Sequence, residues 1–596
     1  MIKKQLDELR KLMKQQKMDV YLIPTADFHQ SEYVGEHFAA RKFMSGFTGS
    51  AGSMVVTATE AGLWTDGRYF IQAEHQLAGS GITLYKMGVA GVPTLEEFIY
   101  DHLLEGGVLG FDGRVIDANL GKKLEEKIAV KKATISYEMD LVNEVWSNRP
   151  ELSKESVYLL DEKYSGKSAV AKLAELRQSM KELGATTFVL TSLDDIAWLF
   201  NIRGNDIPCV PVVLSYAVIT MESAELFVNQ ETISDEVRAN LNRQGVEISD
   251  YEKIYNRVSD IDSTEVVLMD GSHVNYKIAR LIPEGVKTLR QINPTTLSKA
   301  KKNEVEIQNL RNAHIKDGVA VTKFMYWLKT NYKNTTITEL SAADYLEDLR
   351  KQQEGYIEPS FHTISAFGAN AAMMHYSATE ESNATLEPGS FLLVDSGGHY
   401  YEGSTDITRT FALGEISPEL KKHFTLVTKS NLNLANAKFL HGCTGMNLDI
   451  LARGPLWELG IDYRCGTGHG IGYLLNVHEA PNGFRWKIVP ERNDSCVLEP
   501  GMVTTDEPGV YIEGSHGIRV ENELVCRKEE TNEYGDFLNF ENITYAPIDL
   551  DAIDVAFLQP KDIEQLNRYH KVVFEKISPY LTGDELEWLK IYTREI

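Results

Sequence analysis

Five side chains of the kinds that bind metal ions occur in the C-terminal part of the chain, each beside a strand-like run or a glycine-rich turn. They are Asp395 in FLLVDSGG, Asp406 in GSTDITRT, His469 in GTGHGIG, Glu507 in TTDEPGV and Glu521 in GIRVENE. Four carboxylates brought together in a protein interior carry a large desolvation cost unless cations neutralise them. The set therefore favours a fold that gathers distant segments around divalent ions, and its charge suits two ions better than one.

Two predicted hairpins supply the four carboxylates. FLLVDS and TDITRTFAL flank the turn region GGHYYEGS, so Asp395 and Asp406 are expected near facing strands. MVTTDEPGVYI and IRVENELVC flank a turn around GSHG, so Glu507 and Glu521 are expected to meet across a second hairpin. His469 lies between glycines, whose small size lets the backbone approach a crowded site. Each residue alone is more often a solvated acid or a packed histidine, and only the combination predicts a metal centre.

The donor types narrow the metal without fixing it. Hard oxygen ligands favour Mn or Mg, and a single imidazole leaves Zn, Co or Fe as alternatives. Two such ions a few Å apart can bridge a hydroxide, lower its pKa and polarise a carbonyl group from both sides. This chemistry indicates a hydrolase.

Three further side chains lie near the five in sequence. His375 in ANAAMMHYSA and His478 in LLNVHEAP are candidates to hydrogen-bond a carbonyl oxygen or a developing charge. A histidine with an ordinary backbone partner is the alternative for each. Arg519 shares a strand face with Glu521 and can orient that carboxylate or bind a substrate group, with a plain salt bridge as the alternative.

The overall charge and the cysteines limit the environment and the partners. The net charge of -25 argues against a nucleic-acid or anionic-membrane partner, because phosphate binding needs clusters of Lys and Arg. The N-terminal stretch MIKKQLDELRKLMKQQKMDVYLIP lacks the apolar core of a signal peptide. No run approaches the roughly 18 apolar residues of a transmembrane helix. The five scattered cysteines form no C-x-x-C pair, which favours a reducing compartment, the cytoplasm.

A repeated segment predicts a duplicated N-terminal half. LDELRKLMKQQKMDVYLIPTAD from Leu6 and LAELRQSMKELGATTFVLTSLDD from Leu173 share a helical pattern followed by a short strand-like run. We therefore expect an α/β (α+β) protein with two related α/β domains and a C-terminal catalytic domain. The predicted boundaries are 1–152, 153–300 and 301–596, and the last domain is expected to end in a helical tail.

The five motifs together resemble the pita-bread metallopeptidases, the M24 family. GTGHGIGYLLNVHEAP, TDEPGVYIEGSHGIRVEN, SGFTGSAG and LWTDGRYFIQAEHQ resemble, within that family, the long three-domain Xaa-Pro aminopeptidases (aminopeptidase P) of the cytosolic type. The resemblance covers nearly the whole chain and implies two creatinase-like N-terminal domains followed by a pita-bread catalytic domain. It implies a metallo-exopeptidase that releases the first residue of peptides with proline in second position.

The resemblance also implies a role for each matching residue. Asp395, Asp406, His469, Glu507 and Glu521 resemble the ligands of a two-metal site, usually manganese, with Asp406 and Glu521 bridging the ions. Glu507 resembles the ligand that exchanges a proton with the bridging hydroxide. His375 and His478 resemble the imidazoles that steady the substrate carbonyl and the leaving proline nitrogen.

One position departs from the family pattern. Many relatives carry His just before GTGHG, where this chain has Cys465 in YRCGTGHG. Cys465 is expected to be an inert small residue, with an oxidation-sensitive thiol as the alternative. The resemblance further implies a homodimer, and Trp457 in GPLWELG matches a position where such enzymes carry an exposed aromatic contact; a core Trp is the alternative.

Two other functions remain open from the sequence. One alternative is another pita-bread hydrolase, such as a prolidase that takes only dipeptides or a creatinase-like enzyme, but the three-domain length and the TDGRYF segment argue against it. A binding module that kept the fold and lost catalysis is the other alternative. Such modules lack the five ligands, which this chain has.

Overall fold

The computed structural model describes residues 1–489 and 492–596, and the chain falls into two compact units. The first unit contains residues 1–159 and 167–295, and the second contains residues 160–166 and 296–596. The short segment 160–166 thus belongs to the second unit although it lies in the N-terminal half of the sequence. Among the described residues, none of the helices combines the length and the apolar character that crossing a bilayer requires.

Helices occur throughout both units. They are α1 (Ile2–Gln15), α2 (Ala40–Ser45), α3 (Phe70–Leu77), α4 (Leu95–His102), α5 (Ala118–Ala129), α6 (Leu141–Val145), α7 (Glu162–Ser165), α8 (Ala169–Leu183), α9 (Leu193–Phe200), α10 (Asp235–Arg243), α11 (Lys253–Ser259), α12 (Tyr276–Leu281), α13 (Pro294–Ala300), α14 (Glu304–Asn331), α15 (Glu339–Lys351), α16 (Pro418–Ala435), α17 (Gly445–Trp457), α18 (Pro560–Ile577) and α19 (Gly583–Tyr592). The tail helices α18 and α19 match the helical end expected from the sequence.

The first sheet of the first unit mixes parallel and antiparallel neighbours. Its strands are β1 (Val20–Pro24), β2 (Ser53–Thr57), β3 (Ala61–Thr65), β4 (Thr83–Lys86), β5 (Val108–Gly110) and β6 (Thr134–Ser136). Their order is β4-β3-β2-β1-β5-β6, with β1 antiparallel to β2 and parallel to β5. α1 is amphipathic and buries Leu6, Leu9 and Met13 in the core beside this sheet.

The second sheet repeats the arrangement of the first. A short ribbon of β7 (Tyr158–Leu159) and β9 (Ile202–Arg203) accompanies the strands β8 (Thr187–Leu190), β10 (Ser215–Thr220), β11 (Ala224–Val228), β12 (Val246–Asp250), β13 (Val266–Met269) and β14 (Lys287–Arg290). The order is β12-β11-β10-β8-β13-β14, and β8 is antiparallel to β10 and parallel to β13. Helix α8 precedes β8 as α1 precedes β1, so the expected pair of related α/β domains is confirmed.

The second unit is organised around the long helix α14. Asn303 caps its start by accepting hydrogen bonds from the backbone of Val305 and Glu306, and the Glu306 side chain accepts from the backbone of Asn303 in return. Gly318 lies where α14 passes the backbone of Tyr545, because a Cβ atom there would come within 2.3 Å of the Tyr545 carbonyl oxygen. The helix therefore packs closely against the chain segment around Tyr545.

The sheets of the second unit are short and largely antiparallel. Their strands are β15 (Tyr356–Pro359), β16 (Ile364–Phe367), β17 (Ser390–Ser396), β18 (Gly398–Tyr400), β19 (Gly403–Ser404), β20 (Ile407–Leu413), β21 (Lys438–Leu440), β22 (Gly468–Gly470), β23 (Glu479–Phe484), β24 (Val503–Asp506), β25 (Gly509–Ile512), β26 (His516–Arg519), β27 (Asn522–Asn532) and β28 (Gly535–Asn542). The sheet orders are β15-β18-β19, β16-β17-β20, β21-β28-β27-β24-β22-β23 and β25-β26.

Both faces of the β17–β20 pair are covered by helices. Leu392 and Val394 pack in one cluster with residues of α14, including Phe324. Phe391 faces the other way and packs with Phe424 and Val427 of α16. Fully covered strands of this kind hold their ends in fixed positions, and two of the predicted ligands, Asp395 and Asp406, lie at those ends.

Candidate metal centre

The first two carboxylates lie at one end of the β17–β20 pair. Asp395 is the second-last residue of β17 and faces Thr408 in the antiparallel register. Asp406 immediately precedes β20, two residues before Thr408 and on the same side of the strand. Both carboxyl groups are buried, with 8% and 4% of the residue surface exposed.

The other two carboxylates lie where the second hairpin changes partners. The β24–β27 ladder ends with Asp506 opposite Asn522, and the β25–β26 ladder begins with Gly509 opposite Arg519. Glu507 and Glu521 occupy the gap between these two ladders. Their backbone N–H groups donate outside the hairpin, from Glu507 to the Thr467 carbonyl at 2.7 Å and from Glu521 to the Thr408 carbonyl at 3.1 Å.

His469 approaches the carboxylates on the short strand β22. A Cβ atom on Gly468 would lie 1.8 Å from the Thr505 carbonyl oxygen, so glycine is required there for the strands to come together. The His469 backbone N–H donates to the Thr505 hydroxyl at 3.0 Å. Its Nε2 atom lies 3.4 Å from Asp406 Oδ2 and 3.6 Å from Glu507 Oε1.

The structure brings the five residues predicted as ligands into one cluster. Asp406, His469 and Glu521 each offer a donor atom, and the three atoms lie within 4.8 Å of one another. Glu507 joins them through its contact with His469. Asp395 joins them through Arg519 and Thr408, because the Arg519 guanidinium binds both residues and the Thr408 hydroxyl donates to Glu521 Oε2 at 2.6 Å.

The electrostatics of the cluster fit bound divalent cations. Burial raises the pKa of Asp406 and of Glu521 well above the usual range, and the neighbouring carboxylates raise both pKa values further. Asp395 Oδ1 is buried and has no hydrogen-bond partner within the described residues. Oxygen donors with one imidazole suit Mn, Mg, Zn, Co or Fe. Cations would remove the repulsion and give the unpaired oxygen a partner.

Arg519 binds a different carboxylate from the one that the strand pattern suggested. Its Nη2 atom donates to Asp395 Oδ2 at 2.5 Å, its Nε atom to the Thr408 hydroxyl at 3.1 Å and its Nη1 atom to the Tyr511 hydroxyl at 2.6 Å. Within the part of the chain that the structure describes, Arg519 is linked to Glu521 by hydrogen bonds through Thr408. No sequence pattern indicated Tyr511, whose position in β25 becomes significant only once the hairpin forms.

The two further histidines occupy different surroundings. His478 directly precedes β23, and its ring meets the His469 ring edge to face, with centroids 4.3 Å apart. His375 is half-buried in a turn that follows a 3-10 helix at Gly368–Ala372. That turn is fixed by its neighbours, since the Tyr376 hydroxyl donates to Glu339 at 2.8 Å. His478 is thus in direct contact with the cluster, and His375 lies on an anchored loop.

A buried ion pair lies beside β22 and β23. Lys302 Nζ donates to the Ile471 carbonyl at 2.5 Å and forms a short contact with Glu479, which is adjacent to His478. Lys299 Nζ lies 3.5 Å from the other carboxylate oxygen of Glu479. Sequence analysis missed this pair, because nothing in LSKAKKNE indicates that lysines enter the core.

Another buried carboxylate beside the cluster also escaped the sequence analysis. Glu523, on β27, accepts the backbone N–H of Asp406 at 2.8 Å. Its second carboxylate oxygen lies 3.1 Å from His314 Nε2 of α14. The strand alternation that marks Glu521 places Glu523 on the same face, and that was the available signal.

Cys465, the position that departs from the family pattern, is half-buried at the edge of a hydrophobic cluster that also contains Tyr511. Burial, followed by the charge of Glu507, raises the pKa of its thiol to about 12. The thiol is therefore protonated at neutral pH.

Comparison with known protein families assigns the whole chain. Residues 5–142 and 148–306 match models of the creatinase/prolidase N-terminal domain, residues 308–528 match metallopeptidase family M24, and residues 536–596 match the C-terminal region of peptidase M24.

Similar proteins cover nearly the full length of the chain. A probable Xaa-Pro aminopeptidase P of Talaromyces marneffei is 41% identical over 99% of this chain and 92% of its own. Aminopeptidase P2 of Arabidopsis thaliana is 38% identical over 97% of this chain and 86% of its own.

Solved structures show the same fold. The X-prolyl aminopeptidase of Caenorhabditis elegans, described as a cytosolic enzyme with a di-nuclear active site, is 34% identical and superimposes over 100% of both chains with a TM-score of 0.94. An Xaa-Pro dipeptidase of Bacillus anthracis is 25% identical and covers 99% of its own chain but 64% of this one, with a TM-score of 0.51.

Proposed function

This chain belongs to the Xaa-Pro aminopeptidases of metallopeptidase family M24, and we propose that it releases the first residue of peptides whose second residue is proline. One observation carries the proposal: donor atoms of Asp406, His469 and Glu521 lie within 4.8 Å of one another in a chain that matches such enzymes over its full length. The match to the dipeptidase of Bacillus anthracis covers 64% of this chain, which favours the longer enzymes over dipeptidases.

We propose that five side chains hold two divalent ions, most simply manganese, with zinc, cobalt and iron as alternatives. The side chains that would hold the ions are those of Asp395, Asp406, His469, Glu507 and Glu521. A bound pair supplies an activated water molecule and polarises the carbonyl group of the scissile bond. The crowded carboxylates and the unpaired Asp395 oxygen support this assignment.

Glu507 is the proposed proton carrier of the reaction. Its carboxylate is the most accessible of the four proposed acidic ligands, with 21% of the side chain exposed. Thr505 Oγ1 lies 3.5 Å from its Oε1 atom and helps to orient it. We assign Glu507 to take the proton of the attacking water and to return it to the leaving proline nitrogen.

His375 and His478 are the proposed partners of the substrate. We propose that their imidazoles donate hydrogen bonds that steady the scissile carbonyl oxygen and the leaving proline nitrogen. Charge develops at both positions during the reaction. The edge-to-face contact with His469 supports this role for His478, because it holds that ring beside the proposed ligands. Arg519 is buried, and we propose that it serves substrate binding through Asp395, which it orients.

A metal add-back assay tests the proposed function. A tripeptide with proline in second position should be cleaved to a free amino acid and a dipeptide, and a chelator should abolish the reaction. Manganese should restore it at least as well as zinc, cobalt or magnesium. A dipeptide Xaa-Pro serves as the control substrate, and a faster rate on it would indicate a prolidase. Full chelator resistance would contradict the proposed metal dependence, and no cleavage with any metal would contradict the proposed activity.

We also propose a homodimer in the cytoplasm. Trp457 and Trp486 are 41% and 46% exposed, and their rings meet edge to face with centroids 6.1 Å apart. Two large aromatic residues on one surface favour a protein contact. Sizing chromatography of the wild type and of Trp457→Glu tests this, since an unchanged elution volume would remove Trp457 from the interface. The free cysteines and the cytosolic description of the Caenorhabditis elegans enzyme support the compartment.

The division into domains at 1–152, 153–300 and 301–596 remains part of the proposal. The spans of the family models, which change near residues 142–148 and 306–308, support it. The two N-terminal domains would then fold separately from the catalytic domain of the same chain.

A further inference from the structure

We propose that Glu523, together with His314, is a positioning residue of the metal centre: it fixes the backbone of Asp406 and adds a fifth negative charge that strengthens cation binding. This inference rests on the proposed two-metal function. Glu523 is separate from the five proposed ligands because its described contacts are to a backbone N–H and to a histidine.

The contact to Asp406 is specific. The Asp406 backbone N–H donates to Glu523 Oε1 at 2.8 Å, across 117 residues of sequence. Asp406 precedes β20 and so lies outside the β17–β20 ladder, whose register begins at Ser396 and Ile407. Its N–H therefore takes a side-chain acceptor in place of a strand partner. Without that acceptor, the segment that aims the Asp406 carboxylate would lose a buried hydrogen bond.

Glu523 is itself held in place from both sides of its strand. It faces Thr505 in the β24–β27 register, and its own N–H donates to the Thr544 hydroxyl at 2.8 Å. Its carbonyl accepts from the Ile543 N–H at 3.1 Å. Since none of the residue is exposed to solvent, its carboxylate has little freedom to turn away from Asp406.

Glu523 acts on the cluster through its charge as well as through its hydrogen bond to Asp406. Glu523 follows Glu521 by two residues in the sequence, and its carboxylate lies against the backbone of the proposed ligand Asp406. Its Oε1 atom lies 2.8 Å from the backbone nitrogen of Asp406, so its negative charge acts on the cluster at short range. A charge that repels the neighbouring carboxylates attracts cations to them by the same Coulomb interaction.

His314 is the partner of the second carboxylate oxygen. It lies on α14, is 2% exposed, and places Nε2 3.1 Å from Glu523 Oε2. The two atoms are close but do not form a regular hydrogen bond. Neither atom has a hydrogen-bond partner among the described residues. His314 therefore contacts the second carboxylate oxygen, while Oε1 accepts the Asp406 N–H. Residues that orient metal ligands in this way typically contribute about 10- to 100-fold in metal affinity.

Two substitutions separate the hydrogen bond from the charge. Glu523→Gln keeps a carbonyl oxygen that can accept the Asp406 N–H but removes the charge, and Glu523→Leu removes both. Glu530→Gln is the matched control, because Glu530 lies on the same strand, is exposed, and pairs with Lys438 at 2.8 Å. His314→Asn tests the partner. Each full-length protein is freed of metal with a chelator and titrated with Mn²⁺ by calorimetry.

We expect both Glu523 variants to weaken at least one Mn²⁺-binding step by about tenfold or more, with Glu523→Leu weaker than Glu523→Gln. His314→Asn should follow in the same direction with a smaller change, and Glu530→Gln should stay within twofold of the wild type. Thermal unfolding supplies a second measurement. The melting temperature of the metal-free Glu523→Gln protein should stay close to that of the wild type, while the rise produced by Mn²⁺ becomes smaller.

Opposite results would overturn the inference. If Mn²⁺ affinity in Glu523→Gln and Glu523→Leu stays within twofold of the wild type, Glu523 does not act on the metal centre. If Glu523→Leu fails to fold, Glu523→Gln alone decides. A lower melting temperature without metal, combined with an unchanged Mn²⁺-induced rise, would reduce Glu523 to a structural residue. A wild-type protein that binds no Mn²⁺ would instead contradict the proposed function.

Discussion

At the level of single side chains, the carboxylates of the centre are fixed by groups with several donors. Arg519 uses three nitrogen atoms on Asp395, Thr408 and Tyr511, and Thr408 in turn donates to Glu521. A planar guanidinium suits this arrangement because its donors diverge at fixed angles, whereas an ammonium group is a single point of charge. The position of Asp395 therefore depends on the shape of the Arg519 side chain as well as on its charge.

Replacing Arg519 by Lys should lower activity although the charge is kept. We expect kcat/KM to fall about 10- to 100-fold and Mn²⁺ to bind more weakly, because one ammonium group cannot serve all three partners. Steady-state kinetics at limiting and saturating Mn²⁺ measures both effects. Arg527→Lys is the control, since Arg527 forms a partly exposed pair with Glu304 and should change kcat/KM less than twofold. A wild-type rate for Arg519→Lys at limiting Mn²⁺ would contradict the argument.

Replacing Cys465 by His should leave the enzyme active. Burial holds the thiol pKa at about 12, so the residue carries no charge at neutral pH that the reaction can use. We expect kcat/KM to stay within tenfold of the wild type, which corresponds to about 1.4 kcal/mol of transition-state energy. Cys465→Ala, assayed beside it, removes the thiol without adding bulk. Larger losses in both variants would show that the thiol takes part in substrate binding.

Among helices and strands, the locally encoded elements were predictable and the long-range contacts were not. The repeat from Leu6 and Leu173 indicated the paired domains, because helical spacing followed by an apolar run is a local pattern. Both hairpins followed from alternation and turn residues. The bond between Asp406 and Glu523 joins residues 117 positions apart, and the contact between Lys302 and Glu479 spans 177. No local periodicity records such pairs.

The ion pair behind β22 and β23 should contribute strongly to stability. The side chains of Lys302 and Glu479 are 1% and 3% exposed, so Lys302→Met leaves a buried carboxylate with only the more distant Lys299. We expect the free energy of unfolding to fall by about 3 kcal/mol, near the lower end of the range for breaking a buried pair. Urea unfolding in saturating Mn²⁺ measures this change.

Two further variants test that explanation of the Lys302 result. Lys438→Met breaks the exposed pair with Glu530 and should cost less than about 1 kcal/mol. Lys302→Met combined with Glu479→Gln should recover more than half of the lost stability, because no buried charge is then left unpaired. Equal stability of the single and double variants would show that the loss comes from packing.

Over the full chain, metal binding should stabilise one of the two units. All five proposed ligands lie in residues 296–596, and the first unit contains none of them. Scanning calorimetry should therefore show a transition that Mn²⁺ raises and a chelator lowers, beside one that neither changes. A ligand at one hundred times its Kd adds about 2.7 kcal/mol to the state that binds it. Asp406→Ala should abolish the Mn²⁺ response, and equal shifts of both transitions would contradict independent unfolding.

Residues 160–166 restrict how the gene for such a protein can be recombined with those of its relatives. Leu160 is 3% exposed and packs with Ile307 and Leu310, while the carbonyls of Ser165 and Tyr164 accept hydrogen bonds from Asn303 and Asn309. A single crossover near residue 296 would pair one parent's α14 with the other parent's heptapeptide. Functional chimaeras therefore require the two stretches, separated by about 130 residues in the sequence, to be inherited from the same parent.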